Sequence, residues 1–335
     1  MSRPRHESAA GATLWGIFNG LKKKNSIGSL TWEDRIEGKT CLVTGASSGL
    51  GKATAVQFAE RGGRVMMACR SGLPEAGEEV KRLSGSGSVD MAHVNLADIN
   101  SIYAFCEGMR KRQARFDIVV CNAGVVPAKA RKTKQGFEEQ FAVNYLANFI
   151  LVTELLKNGC IQADGSRRSV PRIIFISSET HRNPREIDFE NLGVFRDYAM
   201  KGSVAEYGYT KLLLSAFACE LDRRLNRNGQ IQAAVHHLCP GAVNTNIARE
   251  APALVQPFIK LAFGLFFKKP HKACSPVIYL ACSRDIEGRS GIYLHLMEEK
   301  PAAPAALDAE SGMRLWEATE ELIRKASDAA EQRAQ

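Results

Sequence analysis

A single doubly wound α/β domain around a parallel sheet is the architecture that this 335-residue sequence predicts. Short apolar, β-branched runs alternate with helical stretches along most of the chain, as expected of parallel strands with helices on both faces. Several of those runs are apolar at nearly every position, which suits strands covered on both sides. The chain is long enough for a sizeable core, and no internal repeat or domain break interrupts the alternation.

In order, the candidate strands are Thr40–Thr44, Arg64–Cys69, Val89–Val94, Ile118–Cys121, Ile173–Ile176, Gln232–Leu238 and Ile292–His295. Helical patterns lie at Ala53–Glu60, Gly136–Lys157, Ser203–Leu225 and Pro276–Cys282. The domain is expected over 38–300. Residues 1–37 form an extension whose uncharged stretch, Ser8–Leu21, ends at Lys22-Lys23-Lys24 and is too short to span a bilayer. A surface-packed or disordered arm is the first reading of it, ahead of a membrane-surface helix and a signal peptide. Residues 301–335 read as an Ala/Pro-rich loop, a short amphipathic helix around Leu315, Trp316, Leu322 and Ile323, and a charged tail.

Composition narrows the class. Lys+Arg 45 against Asp+Glu 36 leaves +9, with 45% hydrophobic residues, which excludes disordered, collagen-like and disulfide-scaffold proteins. The basic residues are scattered and not interleaved with aromatics, so no nucleic-acid partner is expected. Nine cysteines lie far apart without a C-x-x-C pair or paired histidines. They read as reduced core thiols of a cytoplasmic enzyme with no metal site.

The first strand runs into Thr44-Gly45-Ala46-Ser47-Ser48-Gly49-Leu50-Gly51 and then a helix. Strand, glycine turn and helix together make a phosphate site, because glycines admit close backbone approach and the helix N-terminus offers free N–H groups. The second strand ends in Arg70 with no carboxylate before Glu75. A guanidinium suits a ribose 2′-phosphate where an acid would repel it, which selects NADP(H) over NAD(H). Of seven tyrosines, only Tyr207 has a lysine four residues on, Lys211, which one helix face presents together. An ammonium beside a phenol favours the phenolate and makes it usable for proton transfer. Ser177-Ser178, Asn122-Ala123-Gly124 and Pro240-Gly241 close other strands at the carboxyl edge, where α/β sheets bind ligands.

Taken jointly, Thr44–Gly51, Asn122-Ala123-Gly124, Asn144, Ser178, Tyr207/Lys211 and Pro240-Gly241 resemble the short-chain dehydrogenase/reductase family over about residues 38–297. Ala68-Cys69-Arg70, the stretch 136–144 and the Phe-rich segment before Lys268-Lys269-Pro270 resemble its retinol dehydrogenase-like branch. The resemblance implies a Rossmann domain with a helical substrate lid at about 246–272, where Leu254, Val255, Phe258, Leu261, Ala262, Leu265 and Phe266 recur at helical spacing. It implies Tyr207 as general acid/base and Lys211 as the group that lowers its pKa and holds the nicotinamide ribose. Ser178 would bond the substrate oxygen, and Asn144 would anchor a proton-relaying water. Gly45, Ser47, Ser48, Gly49, Leu50, Gly51, Arg70, Asn95, Leu96, Asn122, Ala123, Gly124, Pro240, Gly241, Val243 and Thr245 would contact the cofactor together with Tyr207 and Lys211.

Three departures stand out. Asn95 occupies a position where the family usually has Asp, and Cys239 one where this branch often has His; that cysteine reads as a buried strand residue ahead of a reactive thiol. Between Ser178 and Tyr207 lies a long insertion, Glu179–Glu206, expected to build part of the substrate rim, with His181 as a surface loop residue. The expected activity is NADP(H)-dependent interconversion of a lipophilic alcohol with its aldehyde or ketone, with an NADP(H)-binding regulator on the same fold as the alternative. Peripheral membrane contact, through the basic residues around the lid, and a homodimer stay open.

Overall fold

The computed structural model describes residues 26–162, 170–227, 229–241 and 270–334. Among these described residues, eight strands form one sheet in the order β3-β2-β1-β4-β5-β6-β7-β8. These are β1 (Thr40–Thr44), β2 (Arg64–Cys69), β3 (Val89–His93), β4 (Ile118–Cys121), β5 (Arg172–Ile176), β6 (Ala234–Cys239), β7 (Tyr293–His295) and β8 (Glu298–Glu299). All pairs are parallel except β7–β8, a two-residue antiparallel return that the sequence pattern did not show. The order reverses between β1 and β4, and a crevice opens at such a switch point beyond the carboxyl ends of the strands.

The helices are α1 (Gly49–Glu60), α2 (Glu75–Ser84), α3 (Ile99–Lys111), α4 (Ala147–Lys157), α5 (Met200–Leu225), α6 (Pro270–Ala273), α7 (Ser275–Cys282), α8 (Pro304–Leu307) and α9 (Ala309–Ala334). Alternate residues of one strand feed opposite layers, as the pleat requires. In β1, Cys41 and Val43 join the core under α1 and α7, while Leu42 joins the core under α3, α4 and α5. All nine cysteines are free thiols, and Cys219 is the one of them not fully buried. Among the described residues, no helix is long and apolar enough to cross a membrane.

Three helix expectations need correction. Helix α1 starts at Gly49 instead of Ala53, because the glycine turn itself supplies its first turn. The helix expected from Gly136 begins only at Glu139 and runs through a π-helical turn, Phe141–Leu146, that carries Asn144. At the carboxyl end, the short helix and charged tail form one 26-residue helix, α9. Exposed pairs such as Glu321–Arg324 and Arg324–Asp328 continue it beyond its apolar part. Helix α9 packs on α4 and α5: Trp316 lies 4.9 Å from Phe149 and under the Arg224 guanidinium at 4.2 Å. Thr319 donates its hydroxyl to the Leu315 carbonyl, so Tyr145 is the donor in their 2.5 Å bond.

Candidate active site

A groove of about 530 Å³ runs along the carboxyl ends of β1 through β6. At one end is the glycine turn. Gly45 has φ +64 and Gly49 φ +57, in the left-handed region that glycine adopts without strain. A Cβ on Gly51 would sit 2.4 Å from Asn122 Nδ2 and 2.6 Å from the Gly45 carbonyl oxygen, so only glycine lets α1 come this close to the sheet. Ser48 is the N-cap residue, and its hydroxyl makes no capping bond to the helix.

The neighbouring strand ends brace this turn. Asn122 donates its amide to the Thr44 carbonyl at 2.9 Å, and the Asn122 and Ala123 backbone N–H groups both bond Thr44 Oγ1. Asn122 is thus a tie between β1 and β4 as well as part of the groove wall. Asn95 accepts the Ala97 N–H at 3.1 Å, a local turn that an amide closes as readily as a carboxylate. Arg70 stands exposed at the end of β2 on the groove rim.

The other end gathers Ser178, Tyr207 and Lys211. Ser178 follows β5, and Tyr207 and Lys211 come from α5, which meets the Ser178 turn at Gly208. A Cβ on Gly208 would stand 3.1 Å from the Thr180 carbonyl, so this glycine sets how near Tyr207 lies to Ser178. Both side chains line the same end of the groove, close enough for Ser178 to act on the Tyr207 phenol. Lys211 donates to the Ile176 carbonyl at 2.7 Å, and its Nζ lies 5.5 Å from the centre of the Tyr207 ring. Asn144 sits just behind, fully buried, accepting the Val125 N–H at 2.8 Å and donating to the Val125 carbonyl and to Thr210.

Burial dominates the titration of this pair. It pushes the Tyr207 phenol upward, with the Ser178 hydrogen bond pulling the other way, and pushes the Lys211 ammonium down to about 8. The sequence led to the expectation that the ammonium would lower the phenol; in the structure desolvation raises it instead. Cys239, raised to about 11 by burial, stays a thiol at neutral pH.

Every described residue expected to touch a cofactor lines this one groove except Gly51, which acts by its missing side chain. Val243, Thr245 and residues 246–269 of the expected lid lie outside the described residues, as do 1–25 of the amino-terminal extension. Sequence reasoning missed the apolar wall made by Val125, Val126, Pro127, Val143 and Ile176, and the ion pair of Arg131 with Glu139 at the rim. Position after a strand end was a usable signal for the former. Nothing in the sequence pattern marked the latter. The insertion also lines a second cavity of about 550 Å³ with Phe141, Tyr198 and Tyr209, where burial pushes the Glu206 carboxyl up to about 7.

His181 is not a surface residue: its ring is fully buried. It lies within 5.0 Å of the Tyr293 ring and bonds the Ser178 carbonyl and the Ala303 N–H. Contacts from a segment 122 residues away enclose it, which no local pattern reveals.

The chain is similar to known proteins over most of its length. Residues 39–188 match the family model described as short chain dehydrogenase. The chain is 33% identical to retinol dehydrogenase 14 of Mus musculus over 94% of its own length and 96% of the relative's. Against retinol dehydrogenase 13 of Homo sapiens the identity is 34%, covering 96% of each chain. A crystal structure of an uncharacterized protein from Mycobacterium paratuberculosis superposes with a TM-score of 0.67 at 27% identity, covering 89% of this chain and 98% of the other.

Proposed function

Because the chain belongs to the short-chain dehydrogenase/reductase family, as an oxidoreductase related to retinol dehydrogenases, we propose that it interconverts a lipophilic alcohol and its carbonyl partner using NADP(H). One observation carries this reading. Tyr207, Ser178 and Lys211 meet at one end of a groove whose other end is the glycine turn, with Arg70 on its rim.

The residues present fit a nicotinamide dinucleotide. Gly45 and Gly51 let the turn and α1 pack closely against Ala123 and Asn122, the N-terminus of α1 carries no acid in its first turn, and Ser48 keeps its hydroxyl free of capping. Its backbone N–H groups would hold the pyrophosphate. Arg70, with no carboxylate beside it before Glu75, would pair with a 2′-phosphate. When bound, the nicotinamide supplies a hydride in reduction and takes one in oxidation.

Everything else falls to the chain. In carbonyl reduction Tyr207 gives its phenolic proton to the substrate oxygen as charge develops there; in alcohol oxidation it takes that proton. A phenol kept protonated by burial is suited to the reductive direction. Ser178 donates a second hydrogen bond to the same oxygen, and Lys211, buried next to Tyr207, supplies positive charge that stabilises the phenolate left behind. Asn144 holds the backbone at Val125, at the groove's turn between its two ends. The apolar wall of Val125, Val126, Pro127 and Ile176 suits a substrate with an apolar body, as do relatives named for retinol.

Titration with NADPH and NADH, followed by turnover of retinal and other lipophilic aldehydes and ketones, tests the proposal. Tighter binding of NADPH with oxidation of it by a panel member is the expected result. Binding without any turnover would favour a nucleotide-binding regulator, and folded protein that binds neither nucleotide would overturn the reading.

A further inference from the structure

Ser178 must present its hydroxyl to the same point as Tyr207, yet its own side chain is only lightly held, accepting the Thr180 N–H at 3.3 Å. Its carbonyl is held much harder. The His181 backbone N–H reaches it at 3.1 Å and the His181 ring, through Nδ1, at 2.6 Å. The opposite ring nitrogen, Nε2, lies 3.0 Å from the Ala303 backbone nitrogen. A backbone N–H can only donate, so Nε2 is the acceptor, and Nδ1 carries the proton and donates to the Ser178 carbonyl. Two backbone partners therefore fix one neutral tautomer.

A second tie runs beside the first. The Glu179 carboxylate accepts from Tyr293 at 2.5 Å and from Lys300 at 2.9 Å. The turn that begins at Ser178 is thus fastened on its outer side to the segment 293–303, and neither tie touches the glycine turn or Arg70. His181 itself does not line the groove. An apolar ring would fill the same space against Tyr293, so the polar atoms of this buried side chain call for a role beyond packing.

We propose that His181 is a positioning residue, a buried strut that sets the Ser178 backbone against the carboxyl-terminal segment, so that residues beyond 300 hold part of the active-site geometry. This rests on the reading of Ser178 as the substrate-oxygen ligand. It predicts a loss that falls on turnover and spares nucleotide binding, because everything His181 fixes lies at the reacting end of the groove.

The test uses the full chain and two substitutions. His181→Phe keeps an aromatic ring against Tyr293 and removes both hydrogen bonds. His181→Asn retains an N–H that reaches the Ser178 carbonyl. His181→Phe should lower kcat by at least about tenfold, since a misplacement of about 1 Å can cost roughly 100-fold, with NADPH affinity unchanged. His181→Asn should recover most of the loss, and in a Ser178→Ala background His181→Phe should cost nothing further. Hydrogen exchange over residues 178–183 reads the strut without any substrate: it should rise in His181→Phe, fall back in His181→Asn and stay unchanged in the glycine turn. Full kcat in His181→Phe, a parallel loss of NADPH affinity, or exchange unchanged at 178–183 would overturn the proposal. Should the unaltered chain turn over no substrate, the reading of the site would fail, and the exchange result alone would decide for or against the strut.

Discussion

Replacing Gly51 by alanine perturbs the nucleotide end of the groove at a single atom. The added Cβ would meet Asn122 Nδ2 at 2.4 Å, the Gly45 carbonyl at 2.6 Å and Ala46 Cα at 3.0 Å. The carbonyl contact is roughly 0.8 Å inside ordinary van der Waals distance, and it is backbone that has no rotamer to escape into. Asn122 has little freedom either, since its amide is spent on the Thr44 carbonyl. Overpacking of this kind costs about 1–3 kcal/mol, and losing the Asn122 bond adds about 1 kcal/mol. Relief comes from backing α1 away from the sheet, which withdraws the N–H groups meant for the pyrophosphate. Where the whole of this roughly 2–4 kcal/mol returns on binding, NADPH affinity should fall about 30- to 700-fold, at 1.4 kcal/mol for each factor of ten. Gly108, inside α3, is the matched control, because a Cβ added there would meet nothing within 4 Å. There, alanine removes glycine's helix penalty and should stabilise by about 0.5–1 kcal/mol without touching NADPH binding. Thermal unfolding and a fluorescence titration read both. NADPH affinity in Gly51→Ala equal to that of the unaltered chain, or the same loss in Gly108→Ala, would refute the reasoning.

Three further outcomes follow from the same structure. Arg70→Asp places a carboxylate at the rim where a 2′-phosphate would bind, so NADPH affinity should drop about tenfold or more while NADH affinity holds; paired titrations check this, and a retained NADPH preference would count against Arg70. Burial pushes His181 down to about 4 and His236 and His237 to about 3, so each is neutral in the fold and takes up a proton on unfolding below its ordinary value of 6.5. Glu206, pushed up to about 7, is protonated in the fold and offsets about one of those protons, with Glu138 shifted in the same sense. Stability should then fall by roughly 1–3 kcal/mol per pH unit as pH drops from 6.5 toward 4, and urea midpoints that stay flat across that window would contradict it. Trp316→Ala removes the ring that sits among Phe149, Phe217 and Arg224, and should cost about 2–3 kcal/mol in urea unfolding; an unchanged midpoint would mean that α9 adds nothing to the fold.

Much of this was legible in the sequence because it is local. Thr40–Thr44, Arg64–Cys69 and Ile118–Cys121 match the strands residue for residue, since strands covered on both faces are apolar along nearly their whole length. The turn from Thr44 to Gly51 could be read because glycine answers a backbone demand of that one spot. What escaped depends on partners distant in the chain. His181 sits in a loop-like stretch, and its burial is decided by Ala303 and Tyr293. Gly208 looks like a weak point in a helix until the Thr180 carbonyl is brought against it. The length of α9 was hidden for another reason: its last turns have no apolar stripe and are carried by exposed charge pairs. Tyr207 and Lys211 were found by their spacing, but spacing says nothing of depth, and burial shifts both groups against the expected lowering of the phenol.

The central claim is that this groove transfers a hydride with Tyr207 moving the proton. Its most direct test compares the unaltered chain with Tyr207→Phe, using NADPH bearing deuterium at the transferred position and retinal as acceptor. The account predicts deuterated alcohol from the unaltered chain, none above background from Tyr207→Phe, and the same NADPH affinity in both. Undiminished deuterium transfer by Tyr207→Phe would contradict it.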